Sequence, residues 1–158
     1  MQDIIFDTAD KKDIPELIRL RLAYMKDDFG SVSVQQEKDM RNHLPSYFER
    51  HLNSDLIAFV ARKEDRLIAA AYLLVVEKPA SPFLPNGLDG EVLSVFTEEE
   101  YRRKGICTKL ISRLIDYGRE RKLCRISLCA TSDGYPVYRK LGFKDKVQKY
   151  TDMRITFI

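Results

Sequence analysis

The chain has too few cysteines for a disulfide framework. Cys107, Cys124 and Cys129 are scattered, and their spacing matches no common zinc motif. Histidine is scarcer still: His43 and His51 lie in one amphipathic run and read as partly exposed helix residues, so no metal site is expected. No Ser/His/Asp set carries a recognisable local signature. No apolar stretch approaches the roughly 18 residues of a membrane span, and Met1-Gln2-Asp3 is not followed by the basic segment and apolar run of an export signal. A cytoplasmic protein without membrane association is therefore expected. The net charge of +3 is too small to argue for nucleic acid, although its sign favours a polyanionic cofactor. No repeat, linker or low-complexity tract divides the chain. A core built from 158 residues can stand without staples, so residues 1–158 are expected to form one domain.

What is present is a change of period along the chain. Ile4-Ile5-Phe6 suits a first strand. Asp13 followed by Ile14-Pro15-Glu16-Leu17 reads as a capped helix start, with Ile14, Leu17, Ile18 and Leu22 at helical spacing and Phe29-Gly30 closing the helix. Met40, Leu44, Tyr47, Phe48 and Leu52 mark a second helix, in which Pro45 predicts two short pieces or a kink. Leu56–Ala61 and Leu67–Val76 are apolar strand runs joined by the polar turn Lys63-Glu64-Asp65-Arg66, a hairpin. Pro79, Pro82, Pro85, Asn86 and Gly87 punctuate an irregular loop, after which Glu91–Thr97 reads as a strand. From Gly105 a helix carries the stripe Ile106, Leu110, Ile111, Leu114 and Ile115, with Gly118 as a stop. Ile126–Ala130 reads as a further strand, a short helix near Val137–Lys140 ends at Gly142, and Val147–Ile158 can supply two last strands. Helices interspersed with a mostly antiparallel sheet give a single α+β (mixed α/β) domain.

The strongest chemical signal is strand, then Arg102-Arg103-Lys104-Gly105, then helix. A helix N-terminus offers unpaired N–H groups and the positive end of the macrodipole, and Gly105 permits close approach of an anion. Thr108 adds a hydroxyl in the first turn. Cations are unwelcome at a helix start unless an anion offsets them, so a phosphate or pyrophosphate site competes favourably with a merely decorated loop. The turn is not a Walker loop, lacking Gly-Lys-Ser/Thr, and one glycine does not make a dinucleotide fingerprint.

Val95-Phe96-Thr97 followed by Arg102-Arg103-Lys104-Gly105-Ile106-Cys107 resembles the acetyl-CoA motif of the GNAT superfamily of N-acetyltransferases, which reads Arg/Gln-x-x-Gly-x-Gly/Ala. Arg102 takes the first position and Gly105 the central glycine. Cys107 stands where Gly or Ala is usual, a small residue expected to be tolerated. Gly134-Tyr135-Pro136-Val137-Tyr138-Arg139-Lys140-Leu141-Gly142-Phe143 is similar to the family's late segment ending Leu-Tyr-x-Lys-Leu-Gly-Phe, with Val137 for leucine. The two motifs span about residues 91–143 and occur in the family's order. The resemblance implies a GNAT-like domain whose sheet splays between its fourth and fifth strands. It implies a pantetheine arm in that split, paired with backbone groups of Val95 and Thr97. The pyrophosphate would sit on Arg103, Lys104, Gly105, Ile106, Cys107 and Thr108.

Acetyl transfer to an amine needs a neutral amine, a donor for the developing oxyanion and a proton for the departing thiolate. The resemblance assigns the last role to Tyr138, whose phenol is protonated at neutral pH. Glu91 stands where the histone-acetylating branch places a catalytic glutamate, and would accept the amine proton. Ser94 and Tyr135 are expected to line the acceptor cleft, bordered by residues 29–36 and 78–90; Asp27, Asp28 and Asp89 either attract a cationic amine there or are plain surface charges. Cys107 is not expected to act as a nucleophile, since direct transfer needs none. The expected partners are thus acetyl-CoA and a primary amine, with no metal and no nucleic acid; a homodimer is common in the family. The rival readings are a non-catalytic acyl-CoA-binding sensor or docking module of the same fold and, more remotely, a nucleic-acid binder, for which no aromatic residues interleave with the basic turn.

Overall fold

A computed structural model describes residues 3–158, so Met1 and Gln2, part of the expected domain, lie outside it. One sheet runs in the order β1 (Ile5–Thr8), β2 (Leu56–Lys63), β3 (Arg66–Glu77), β4 (Leu88–Thr97) and β5 (Arg125–Ser127). Neighbours are antiparallel up to β4, and β4 and β5 are parallel. Helices α1 (Ile14–Phe29) and α2 (Val34–His51) pack on one face, α3 (Ile106–Glu120) packs on the other, and α4 (Tyr135–Lys140) follows β5. The architecture is the expected mixed α+β sheet flanked by helices.

The unbroken apolar run of β2 is explained by burial on both faces. Ile57, Phe59 and Ala61 pack with Ile106, Leu110, Ile111 and Leu114 of α3. Leu56, Ala58 and Val60 pack with Leu17, Leu20, Leu44 and Phe48 of α1 and α2. Successive strand side chains point to opposite faces, so a strand covered on both sides must be apolar throughout.

Several expectations are corrected. Asp13 does not cap α1 with its side chain; Asp10 caps the preceding 3-10 turn, Lys11–Asp13, and the buried Asp13 carboxylate instead takes Arg62 at 2.8 Å. Pro45 does not divide α2, because the buried Leu44 and Phe48 on either side hold one helix against the sheet. Gly118 does not stop α3. It lies buried within the helix, where an added Cβ would fall 2.6 Å from Cδ1 of Ile126, and the chain turns only at Arg121-Lys122. β4 begins at Leu88, so Glu91 stands within the strand rather than at its start. Residues 128–158 contain no strand: Leu128–Ala130 leave the sheet, and the tail from Val147 is exposed and irregular.

The sheet opens between β4 and β5. They pair only at Asp89 with Arg125, Gly90 with Ile126 and Glu91 with Ser127. Beyond Glu91, β4 carries a bulge. Tyr72 opposes Leu93 and Ala70 opposes Phe96, which leaves Ser94 and Val95 against Ala71, with Ser94 at φ 51°. A bulge increases local twist and bends the strand. Here it turns the last part of β4 away from the chain leaving β5.

Candidate active site

A groove of about 760 Å³ runs from this split across the sheet face beneath α1 and α2. Val92–Val95 of β4 form one wall of the split, and Leu128, Cys129 and Thr131 form the other. Glu98 N–H donates to Ile68 of β3, so by alternation the backbone groups of Thr97 and the carbonyl of Val95, at the edge of the bulge, point away from β3 into the opening. The Thr97 carbonyl already accepts a hydrogen bond from Arg102 Nε at 2.8 Å. The Val95 carbonyl has no ladder partner on that side among the described residues.

The split leads to the start of α3. Gly105 takes φ 76°, a left-handed conformation that glycine adopts at little cost, and Arg103 lies at φ 61°. The first intrahelical bond is Lys109 N–H to Gly105 O, so the amides of Ile106, Cys107 and Thr108 have no helical acceptor. No side chain caps the helix and no acid stands in its first turn. Arg103 and Lys104 are exposed beside it. Arg102, by contrast, is tied into the protein. Besides Thr97, it reaches Asp27 at 3.2 Å and lies 5.5 Å over the Phe96 ring. It braces the turn against β4 and α1.

Tyr138 of α4 is buried, its ring edge-on to Phe143 at 5.9 Å, and it lines the groove. Its phenol is pushed up to about 12, chiefly by burial, with Cys107 and Tyr24 nearby adding to the shift. Gly134 is packed under that ring: a Cβ there would fall 2.8 Å from Tyr138 Cε2. Burial also pushes up the thiol of Cys107, which keeps it protonated.

Glu91 is exposed and lines the groove at the point where strand pairing ends. Ser94 lines it too, its hydroxyl accepting a hydrogen bond from Arg21 Nη1 of α1. Tyr135 does not line the groove; its hydroxyl donates to Asp145 at 2.8 Å. Of the acids considered, Asp28 faces the groove, Asp27 is paired with Arg102, and Asp89 is buried under Lys78 and Arg125. Of the expected border 29–36 only Phe29 lines the groove, and residues 78–90 do not. The sequence reading missed Arg21, Tyr24, Tyr47 and Tyr72, which the fold brings to the groove from α1, α2 and β3. All four repeat as ordinary members of helix or strand patterns, and nothing local distinguishes them. Among the described residues no group of three metal-ligating side chains is found, and no helix is long and apolar enough to cross a membrane.

A family model described as acetyltransferase (GNAT) family matches residues 17–143. No curated protein matches the chain. Among solved structures, a predicted acetyltransferase from Clostridium acetobutylicum, crystallised with acetyl-CoA, is 27% identical over 96% of each chain, with a TM-score of 0.83. A GCN5-related N-acetyltransferase from Ralstonia eutropha is 20% identical over 96% of this chain and 99% of its own, with a TM-score of 0.78. An aminoglycoside acetyltransferase from an uncultured soil sample is 19% identical over 98% and 99%, with a TM-score of 0.72.

Proposed function

Because the chain belongs to the acetyltransferase (GNAT) family, we propose that it moves the acetyl group of acetyl-CoA directly onto a primary amine bound in the groove. The observation that carries this reading is the start of α3. Three amides lacking acceptors and two exposed cations, with no acid in the turn, open off a split strand edge. A pyrophosphate satisfies those amides and offsets the cations, and the open edge at Val95 suits an extended amide-bearing arm. Acetyl-CoA supplies an acetyl group activated as a thioester. The residues present fit it: Ile106–Thr108 with Arg103 and Lys104 hold the pyrophosphate, the Val95 carbonyl and the Thr97 N–H hold the arm, and Phe96 with Arg102 stiffens the wall.

The remaining roles fall to two side chains. Glu91 accepts a proton from the incoming amine, directly or through water, leaving a lone pair for attack. The C–N bond forms as the C–S bond breaks. Tyr138, protonated at any physiological pH, gives its proton to the sulfur, and the proton lost by the amine balances it through solvent. Holding both reactants in one groove supplies much of the acceleration. Cys107, kept as a thiol, takes no covalent part.

Thiol release with an amine panel tests the reading. Acetyl-CoA is expected to raise the melting temperature, and Tyr138→Phe to lower kcat by about 10²-fold or more with little change in the KM for acetyl-CoA. Protection by acetyl-CoA without turnover on any amine would instead favour a binding module. Absence of both protection and turnover would overturn the proposal.

A further inference from the structure

Arg21 stands out among the groove residues. Among the described residues it is the sole lysine or arginine lining the groove, alongside the acids Asp28, Asp39 and Glu91 and one histidine, His43. Its guanidinium makes one hydrogen bond, to the Ser94 hydroxyl at the β4 bulge, and no ion pair among the described residues. That uses one of its five N–H donors. Tyr24 lies against it, and Tyr47 and Tyr72 line the same groove. The Arg21 Cζ lies 5.8 Å from the Tyr24 ring centre, and its charge opposes the upward push that burial gives the phenols of Tyr24, Tyr47 and Tyr72. The Tyr72 hydroxyl makes no hydrogen bond to the protein among the described residues. A half-buried cation with spare donors, in a groove that also presents a tyrosine hydroxyl free to donate, is an arrangement complementary to an anion.

The surrounding charges restrict which anion. A phosphate dianion would meet one guanidinium against three carboxylates. A polyamine or other polycation would place a second positive charge against Arg21. A single carboxylate next to a single amine matches both the cation at Ser94 and the acids around it. Both groups belong at the split end of the groove, because Ser94, which holds Arg21, adjoins Val95 at the arm-binding edge and lies three residues, about 10 Å of strand, beyond Glu91. The rest of the groove is apolar and aromatic, including Met25, Met40, Tyr47 and Phe48.

We propose that the acceptor is an amino acid with an apolar or aromatic side chain, its carboxylate held by Arg21 and the Tyr72 hydroxyl and its amine directed toward Glu91. This rests on the acetyltransferase reading and adds the substrate class to it. Arg21 is the residue that sets specificity, and Ser94 positions its guanidinium.

Matched pairs test it on the full chain with acetyl-CoA: L-phenylalanine against phenethylamine and L-leucine against isoamylamine. Loss of the carboxylate is expected to lower kcat/KM by about 10- to 100-fold, the range for a hydrogen-bonded charge. Arg21→Met is expected to reduce that ratio to near one. Tyr72→Phe, which removes only the hydroxyl, is expected to reduce it severalfold and guards against misfolding of the first variant. A second arm needs no turnover: calorimetric binding of N-acetyl-L-phenylalanine against N-acetylphenethylamine, in the native chain and in Arg21→Met. A carboxylate preference in binding that Arg21→Met abolishes, with no transfer to any amine, would uphold the anion site and refute the transferase reading. Equal handling of both members of each pair, in transfer or in binding, or preference for the decarboxylated member, would overturn the inference.

Discussion

At the level of single residues, Asp89 holds the closed end of the split. Its carboxylate takes Arg125 at 3.1 and 2.9 Å and Lys78 at 2.8 Å, and Asp89 and Arg125 face each other in the β4–β5 register. The Arg125 hydrogen bonds hold its carboxyl below the usual aspartate range, against the opposing effect of burial, and Lys78 adds to the lowering. A carboxylate whose folded pKa is depressed contributes stability that is fully present above its unfolded value, near 4, and is lost as pH falls through the folded value. Asp13 beside Arg62 and Glu16 beside Arg19 are depressed in the same direction, so all three contribute to one acid limb. Asp89→Asn is therefore expected to cost about 1–2 kcal/mol at pH 7, where both partners remain half-exposed and hydrated. Denaturant titrations from pH 7 down to pH 3 should show the variant losing stability less steeply than the native chain. Parallel acid limbs would mean that the Asp89 pairs do not form in solution.

At the level of elements, α3 was legible because its signals are local. The stripe from Ile106 to Leu114 follows the helical period, and three cations abut its start. β4 was only partly legible. Leu88-Asp89-Gly90 reads as loop because Asp and Gly are poor strand formers, and its reason for being strand lies far off in sequence: Arg125 neutralises Asp89, and Leu73, Leu123 and Ile126 fill the space beside Gly90. Gly118 was misread for the same reason, since its neighbour Ile126 belongs to another element. The exposed start of α3 yields a test with opposite signs. Thr108→Glu places an acid in a first turn that has none, next to Arg103 and Lys104. The free protein should gain about 0.3–1 kcal/mol, a rise of about 1–4 °C in melting temperature. The same carboxylate competes with a pyrophosphate for the same amides, so affinity for acetyl-CoA should fall by about tenfold or more. Unchanged protection of this variant by acetyl-CoA would place the pyrophosphate elsewhere.

At the level of the whole molecule, the groove exists because distant segments meet. Arg21 and Ser94, 73 residues apart, share a hydrogen bond that no local pattern encodes. The tail shows the converse. Met153, Ile155 and Phe157 alternate with polar residues as a half-buried strand would, yet they are 92%, 80% and 92% exposed. Alternation reports a capacity to pair, and pairing also needs a partner edge, which the tail lacks among the described residues. Its one internal side-chain hydrogen bond joins Gln148 to Asp152. Residues 147–158 should therefore exchange their amide hydrogens at nearly unprotected rates, while β2 and β3, buried on both faces, exchange only through global opening. Deleting residues 147–158 should leave the melting temperature within about 1–2 °C, because the deletion exposes little apolar surface. Protection of the tail that grows with protein concentration would mean that a second copy supplies the missing edge. Protection independent of concentration would mean that the tail pairs with its own sheet, contrary to the fold described above.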